Sequence, residues 1–328
     1  SNWGNDWDQR LAQFSFDPVA AASIGQVHKG LTHGGRELAI KIQYPGVRRS
    51  IDSDINNVVS LLRLSGLLPR ELDIDPLVAE AKQQLRLETD YLHEQQQLLA
   101  YDAALQDFRH YDALALPGVD TELSTEQILC MDFIEGVSLK QAASEQAALK
   151  DHIPALLLEL FFCELFQLRC VQTDPNPANY QYNLQQDRLV LLDFGAVRRF
   201  SPDFVQQYHH AICAATDRNP TALANALETL GFFSQRHDAA NRQVVLDIFM
   251  EATEPLRTPG AYDFGTSDLA QRIHQRGMAI SSDPDAWHTP PADVLFLHRK
   301  MGGLFMLASQ LGANVDVHAI FNRYRELS

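Results

Sequence analysis

Gln172-Thr173-Asp174-Pro175-Asn176-Pro177-Ala178-Asn179, running on through Tyr180-Gln181-Tyr182-Asn183 to Arg188-Leu189-Val190-Leu191-Leu192-Asp193-Phe194-Gly195, is the stretch that decides the fold. Its spacing predicts a small hairpin, Asn179 to Asn183 and Arg188 to Leu192, that ends in Asp193-Phe194-Gly195. Asp174 and Asn179 are five positions apart, the D-x-x-x-x-N spacing of a phosphoryl-transfer catalytic loop, and Asp193 follows fourteen residues after Asn179. One hairpin can therefore deliver two oxygen ligands, Asn179 and Asp193, to a single Mg2+. Asp174 is then the carboxylate that orients or deprotonates the attacking group.

Phosphoryl transfer also needs a cation on the phosphates and a loop over the nucleotide. Upstream, Leu38-Ala39-Ile40-Lys41 is a near copy of the V-A-I-K strand, sixteen residues after Gly25. Before it, Ala20-Ala21-Ala22-Ser23-Ile24-Gly25-Gln26-Val27 stands where a kinase carries its glycine-rich loop. Gln26 to His33 and Arg36 to Tyr44 read as strands joined by Gly34-Gly35, a dipeptide suited to a tight turn with positive φ. Period-two alternation places Leu38, Ile40 and Ile42 on one face and Ala39, Lys41 and Gln43 on the other, so Lys41 is expected to point away from the apolar layer. Each motif alone is weak, since D-F-G occurs by chance and a strand lysine is usually a solvated edge. Their common order in matching context is what carries the reading.

The remaining pattern supplies the frame. Asp75 to about Leu105 carries good helix formers with Asp75-Pro76 at its start, which predicts one long helix. Glu126 to Phe133 reads as a buried strand whose Met131 and Phe133 are expected to line the nucleotide site, and Gly136 as a joint between lobes. Beyond it, helices are expected over His152 to Arg169, Pro202 to Thr216, Pro220 to Gly231, Asn241 to Thr253 and Asp293 to Leu311. The fold class predicted is α+β, a bilobal protein-kinase-like fold with a small sheet-plus-helix N-lobe over 1–135 and a mostly helical C-lobe over 136–328.

Bulk properties remove other classes. The chain of 328 residues carries a net charge of −15, which disfavours a nucleic-acid partner because the phosphate backbone is bound by dense Lys and Arg. Cys130, Cys163, Cys170 and Cys213 lie singly with no CxxC pair, which argues against a disulfide framework or a structural zinc. The apolar stretch Ile153 to Leu168 is cut by Glu159, Glu164 and Gln167, too short and polar to span a bilayer. Ser1 to Phe16 is polar and mildly acidic, unlike a signal or transit peptide.

Several positions depart from the ordinary protein-kinase pattern. Thr173 stands where H-R-D has arginine, no A-P-E follows Gly195, and alanines replace the glycines of the nucleotide loop. A peptide-docking activation segment is not expected, and the alanine methyl groups should alter nucleotide preference between ATP and ADP.

These departures, with Ala20-Ala21-Ala22-Ser23-Ile24-Gly25-Gln26-Val27-His28, Lys41-Ile42-Gln43-Tyr44-Pro45-Gly46-Val47, Glu88-Thr89-Asp90-Tyr91, Leu191-Leu192-Asp193-Phe194-Gly195-Ala196 and Leu297-His298-Arg299-Lys300-Met301-Gly302-Gly303, resemble the UbiB family of atypical kinases. The family is also called AarF-domain-containing (ADCK-type) kinases, and the resemblance is to its coenzyme Q branch. It implies a Mg-dependent ATPase or kinase-like enzyme, with ATP or ADP and Mg2+ as cofactors, that supports ubiquinone biosynthesis on a small-molecule, lipid or protein-complex target. The alternative is a nucleotide-binding pseudokinase that acts as a scaffold or switch. The implied partners are nucleotide, an anionic membrane surface and ubiquinone-biosynthesis proteins. The implied location is cytoplasmic and peripheral to the inner membrane if bacterial, or the matrix side of the mitochondrial inner membrane.

Periodicity leaves open which of Glu88, Asp90 and Glu94 pairs with Lys41, since all three fall on one predicted helix and only Asp90 and Glu94 would share a face. The resemblance assigns Glu94 as the partner, and gives Glu88 and Asp90 a regulatory contact with the lysine of an N-terminal K-x-G-Q element. No such element occurs in the nineteen residues before Ala20. For His298-Arg299-Lys300 a structural ion pair is favoured over a phosphate or acidic-lipid contact.

Overall fold

The computed structural model describes residues 2–4, 6–64, 75–233, 239–281 and 291–326, an α+β protein in two compact units. Among the described residues the first unit takes those up to 64, 75–138 and 178–197, and the second takes 139–177 and 198–326.

In the first unit, β1 (Gln13–Phe14), β2 (Ala20–Ala22), β3 (Gly25–Leu31) and β4 (Glu37–Gln43) are followed by α1 (Val47–Leu64), α2 (Asp75–Glu88) and α3 (Tyr91–Leu105). Then come β5 (Leu114–Ala115), β6 (Ile128–Asp132) and β7 (Val137–Ser138). An antiparallel sheet runs β1-β3-β4-β6, with β2 also paired to β3. Gly35 closes the β3–β4 turn at φ +81, a conformation glycine adopts without strain. The expected alternation appears in β4: Leu38 and Ile40 are fully buried and pack with Trp3, Leu11, Ile128 and Cys130. Burial of each such aliphatic side chain is worth about 1.5–3 kcal/mol, enough to fix the register, because a one-residue slip would turn the whole set outward.

The single helix predicted over Asp75 to Leu105 is two helices. Asp90 is extended, with φ −116 and ψ 92, and its side chain accepts from the amides of Leu92 and His93. Asp90 Oδ1 lies 3.1 and 3.2 Å from those nitrogens, so it caps α3 by satisfying two amides that lack helical partners. A run of good helix formers hides this break, because aspartate is tolerated mid-helix yet favoured at a cap. Asp90 and Glu94 therefore do not share a helix face. The helix α1 was not anticipated.

Residues 178–197 group with the first unit because their strands pair there. In the hairpin of β9 (Tyr180–Asn183) and β10 (Arg188–Leu191), the strand β10 pairs in parallel with β5 and β9 pairs with β7.

The second unit holds β8 (Cys170–Gln172) and the helices α4 (Leu139–Glu145), α5 (Leu149–Phe162), α6 (Pro202–Thr216), α7 (Pro220–Thr229), α8 (Ala239–Ala252), α9 (Glu254–Arg257), α10 (Leu269–Ser281), α11 (Ala292–Leu311) and α12 (Val317–Asn322). The starts of α6 and α7 follow from local chemistry: Ser201 and Asn219 cap them, each with proline at the first turn. The helix predicted to reach Arg169 is α-helical only to Phe162 and continues as a π-helical turn over Cys163–Leu168. The acids in this apolar stretch are partnered. Arg323 donates to both oxygens of Glu159 at 3.1 and 2.7 Å, and the Gln172 amide donates to Glu164 at 2.9 Å. Among the described residues no helix is long and apolar enough to cross a membrane.

Candidate active site

Strand β4 places Lys41 on the face opposite the Leu38–Ile40 core, as alternation requires, yet the side chain is buried. Its Nζ lies 2.6 Å from Glu94 Oε1 and 3.3 Å from Asp193 Oδ2. Glu94 stands on the buried stripe of α3, Tyr91-Glu94-Leu98-Tyr101-Leu105, whose steps of three and four residues keep one face inward. Its Oε1 also accepts from the Phe194 amide at 3.4 Å.

The triplet after β10 is held at each residue. Asp193 Oδ1 accepts from the Gly195 amide at 3.0 Å. The Phe194 ring is fully buried, 5.4 Å from that of Tyr101. Gln84 donates to the Gly195 carbonyl at 3.4 Å. The Leu192 amide donates to the Asn179 carbonyl at 3.0 Å, extending the ladder past the Tyr180–Leu191 pair. Asn179 and Asp193 thus flank the same end of one hairpin.

Burial alone would pull the Lys41 ammonium down, but the Glu94 and Asp193 carboxylates outweigh it and hold the group above the ordinary lysine range. Lys41 is therefore charged throughout the neutral range. Burial pushes the Glu94 carboxyl up, against the pull of Lys41. Burial likewise raises the Tyr91 phenol, whose buried hydroxyl has no hydrogen-bond partner among the described residues. Two carboxylates on one ammonium leave this cluster net negative, which suits a divalent cation. Among the described residues no three His, Cys, Asp or Glu side chains are placed to hold a metal by themselves. Magnesium needs no such cage, since it takes one or two protein oxygens and the remainder from phosphate and water.

The alanine stretch is a strand hairpin, with Ala20, Ala21 and Ala22 opposite Val27, Gln26 and Gly25. Directly paired residues share a sheet face, and Val27 pairs Lys41 as Ala39 pairs Met131. Ala20, Ala22, Gly25, Val27, Lys41 and Met131 are thereby brought to one face. Ala21 falls on the other, and Ile24 is buried in the turn. Ser23 Oγ lies 3.5 Å from Glu88 Oε2. Phe133 follows β6, and Lys29 Nζ sits 4.3 Å over its ring.

In the second unit, Asp174 follows β8, and Arg299 Nη2 lies 2.8 Å from its Oδ1. Buried Lys300 donates to buried Gln172 at 2.9 Å. The His298 ring lies among those of Tyr208, Phe232 and Phe249, 5.3 Å from the last. The Arg299 contact is an ion pair, the reading favoured from sequence, and its partner is the predicted catalytic-loop aspartate. Sequence reasoning singled out Arg299 without its partner Asp174, and gave Tyr91, Tyr101 and Gln84 no place at the site. The signal for Glu94 was present, for it is the one acid on an otherwise apolar three-four stripe.

A sheet with a charged lysine strand, a paired helical glutamate and an Asp-Phe-Gly turn defines a protein-kinase-like fold. The ABC1 atypical kinase-like domain model matches residues 1–227, and the chain belongs to that family. It is 34% identical over 318 residues to the mitochondrial atypical kinase COQ8B of Rattus norvegicus, covering 97% of this chain and 59% of that protein. It is 33% identical over 321 residues to the mitochondrial atypical kinase COQ8 of Saccharomyces cerevisiae, covering 97% of this chain and 63% of that one. The chain thus spans about three fifths of the length of these curated relatives. Among solved structures, Rv3197 of Mycobacterium tuberculosis in complex with erythromycin aligns with TM-score 0.70 and 25% identity, over 98% of this chain and 79% of that one.

Proposed function

We propose that the chain is a Mg-dependent atypical kinase or ATPase that supports coenzyme Q biosynthesis. The observation that carries the reading is Lys41 held between Glu94 and Asp193, the arrangement that prepares a lysine for nucleotide phosphates and a carboxylate for magnesium. Lys41 grips the α and β phosphates, and Glu94 fixes its position. Asn179 and Asp193 hold the metal, which when bound neutralises charge on the triphosphate. The Ala20–Val27 hairpin covers the nucleotide, Met131 and Phe133 line its base, and Asp174 orients or deprotonates the acceptor group. Glu88 and Asp90 have the regulatory role, although in this chain the Asp90 carboxylate already caps α3. The likeness to the two mitochondrial COQ8 proteins supports the pathway, and the same reading puts the protein beside an inner membrane, bacterial or mitochondrial.

The test is thermal denaturation with ATP or ADP, with and without Mg2+, since a ligand of the native state raises its apparent stability. A Mg-dependent rise is expected in the parent and not in Asp193→Asn; the same rise in both would sink the metal assignment. Phosphate release by the parent that is lost in Asp174→Asn identifies an enzyme, and release by neither identifies a binding scaffold. Anionic liposomes added to the same assay report whether a membrane surface activates it.

A further inference from the structure

The helix α11, which lies beyond the residues matched by the family domain, touches the Asp174 loop through three residues. Arg299 Nη2 meets Asp174 Oδ1 at 2.8 Å, and Lys300 Nζ meets Gln172 Oε1 at 2.9 Å. Gly303 lies so close to Pro175 that an added Cβ would stand 2.2 Å from the proline Cβ. Positions 299, 300 and 303 share one helix face, so α11 contacts the loop at residues 172, 174 and 175 as one surface. The helix itself is anchored by buried Val294, Leu297, Leu304 and Leu307. The loop's own sequence offers Thr173 where an arginine could have stood.

We infer that Arg299 is a positioning residue that fixes the Asp174 carboxylate, with Gly303 setting the approach of α11 to the loop. The inference rests on the reading of Asp174 as the group that meets the acceptor. A carboxylate on a loop has free rotors unless a rigid element holds it, and a catalytic group must sit within about 0.5 Å of its working place. Arginine suits the task because its planar guanidinium is charged at every working pH and directional in its donors. The Arg299 and Asp174 side chains are 54% and 30% exposed, so the pair adds little to stability. A merely structural ion pair therefore predicts almost no effect of its removal, whereas a positioning pair predicts a loss confined to turnover and loop order.

The experiment compares the parent chain with Arg299→Gln, Arg299→Lys and Gly303→Ala, using Gly302→Ala as a control because a methyl there meets nothing within 4 Å among the described residues. Hydrogen exchange of the loop amides from Gln172 to Asn176 and phosphate release from Mg-ATP are both read. Arg299→Gln is expected to speed loop exchange about tenfold with the melting midpoint unchanged. Its kcat should fall roughly 10- to 100-fold with KM for ATP held within about twofold, and Arg299→Lys should recover part of the loss. Gly303→Ala should loosen the loop in the same way and Gly302→Ala should not; if Gly303→Ala fails to fold, the Arg299 pair of variants decides. Loop exchange in Arg299→Gln equal to the parent, or an unchanged kcat in an active parent, overturns the inference. A parent without phosphate release whose loop still loosens in Arg299→Gln keeps the positioning role and overturns the phosphoryl-transfer reading of Asp174 instead.

Discussion

Two ion pairs, one in each unit, look alike on paper and differ in physics. Lys41 and Glu94 are both nearly excluded from water, with side chains 9% and 5% exposed, while Arg299 and Asp174 are 54% and 30% exposed. In the first pair each charge has been stripped of water and depends on the other, so removing one strands its partner. In the second, water can replace either member, so the pair orients more than it stabilises. A short distance is therefore a poor guide to what an ion pair does, and the depth at which it lies is a better one.

The largest effect that could break this contrast is on Lys41. Lys41→Ala leaves Glu94 beside Asp193 with no buried cation and should cost about 3–5 kcal/mol of stability, against about 0–1 kcal/mol for Arg299→Gln. Urea denaturation measures both, and similar midpoints in the two variants would end the distinction.

His298 sharpens the point from the opposite side, because it is half-buried among rings with no salt-bridge partner among the described residues. Desolvation lowers its pKa from 6.5 to about 4. Below the unfolded value the unfolded chain takes up a proton that the folded chain refuses until about pH 4, so stability present above pH 6.5 is lost as pH falls through that window. At about 1.4 kcal/mol per pH unit the loss reaches roughly 3 kcal/mol. Denaturant midpoints measured from pH 7 to 4 should fall more steeply in the parent than in His298→Phe, and parallel slopes would show that this imidazole is not the sensor.

A smaller effect than those at Lys41 and His298 belongs to Asp90, whose side chain accepts from the backbone amides of Leu92 and His93. Asp90→Ala should cost about 1 kcal/mol through the lost cap of α3, with Asp90→Asn close to the parent because its side-chain oxygen can still accept. Equal losses in the two would point to a contact with a cation in place of the cap.

The parts of the molecule that were legible before folding are those governed by neighbours in the chain. Alternation in Leu38-Ala39-Ile40-Lys41-Ile42 placed the apolar face, and capping residues with prolines placed the starts of α6 and α7. The break at Thr89–Asp90 was not read from the sequence, because good helix formers on both sides mask two residues of modest propensity, and the cap that Asp90 makes to two amides divides the segment. The helices α1 and α10 were missed as well. The latter presents arginines at 272 and 276 to Asp247, Glu251 and Glu254, a partnership across sequence that no local pattern announces.

The amino-acid order alone was enough to set out the residues proposed to handle phosphate, since motif spacing and period-two or three-four patterns are properties of the chain itself. Which acid meets Lys41, that Asp90 is a cap, and that an arginine 125 positions away holds Asp174 were decided by tertiary structure. Those outcomes depend on which side chains lose water together when separate segments pack, and desolvation is a property of the folded molecule.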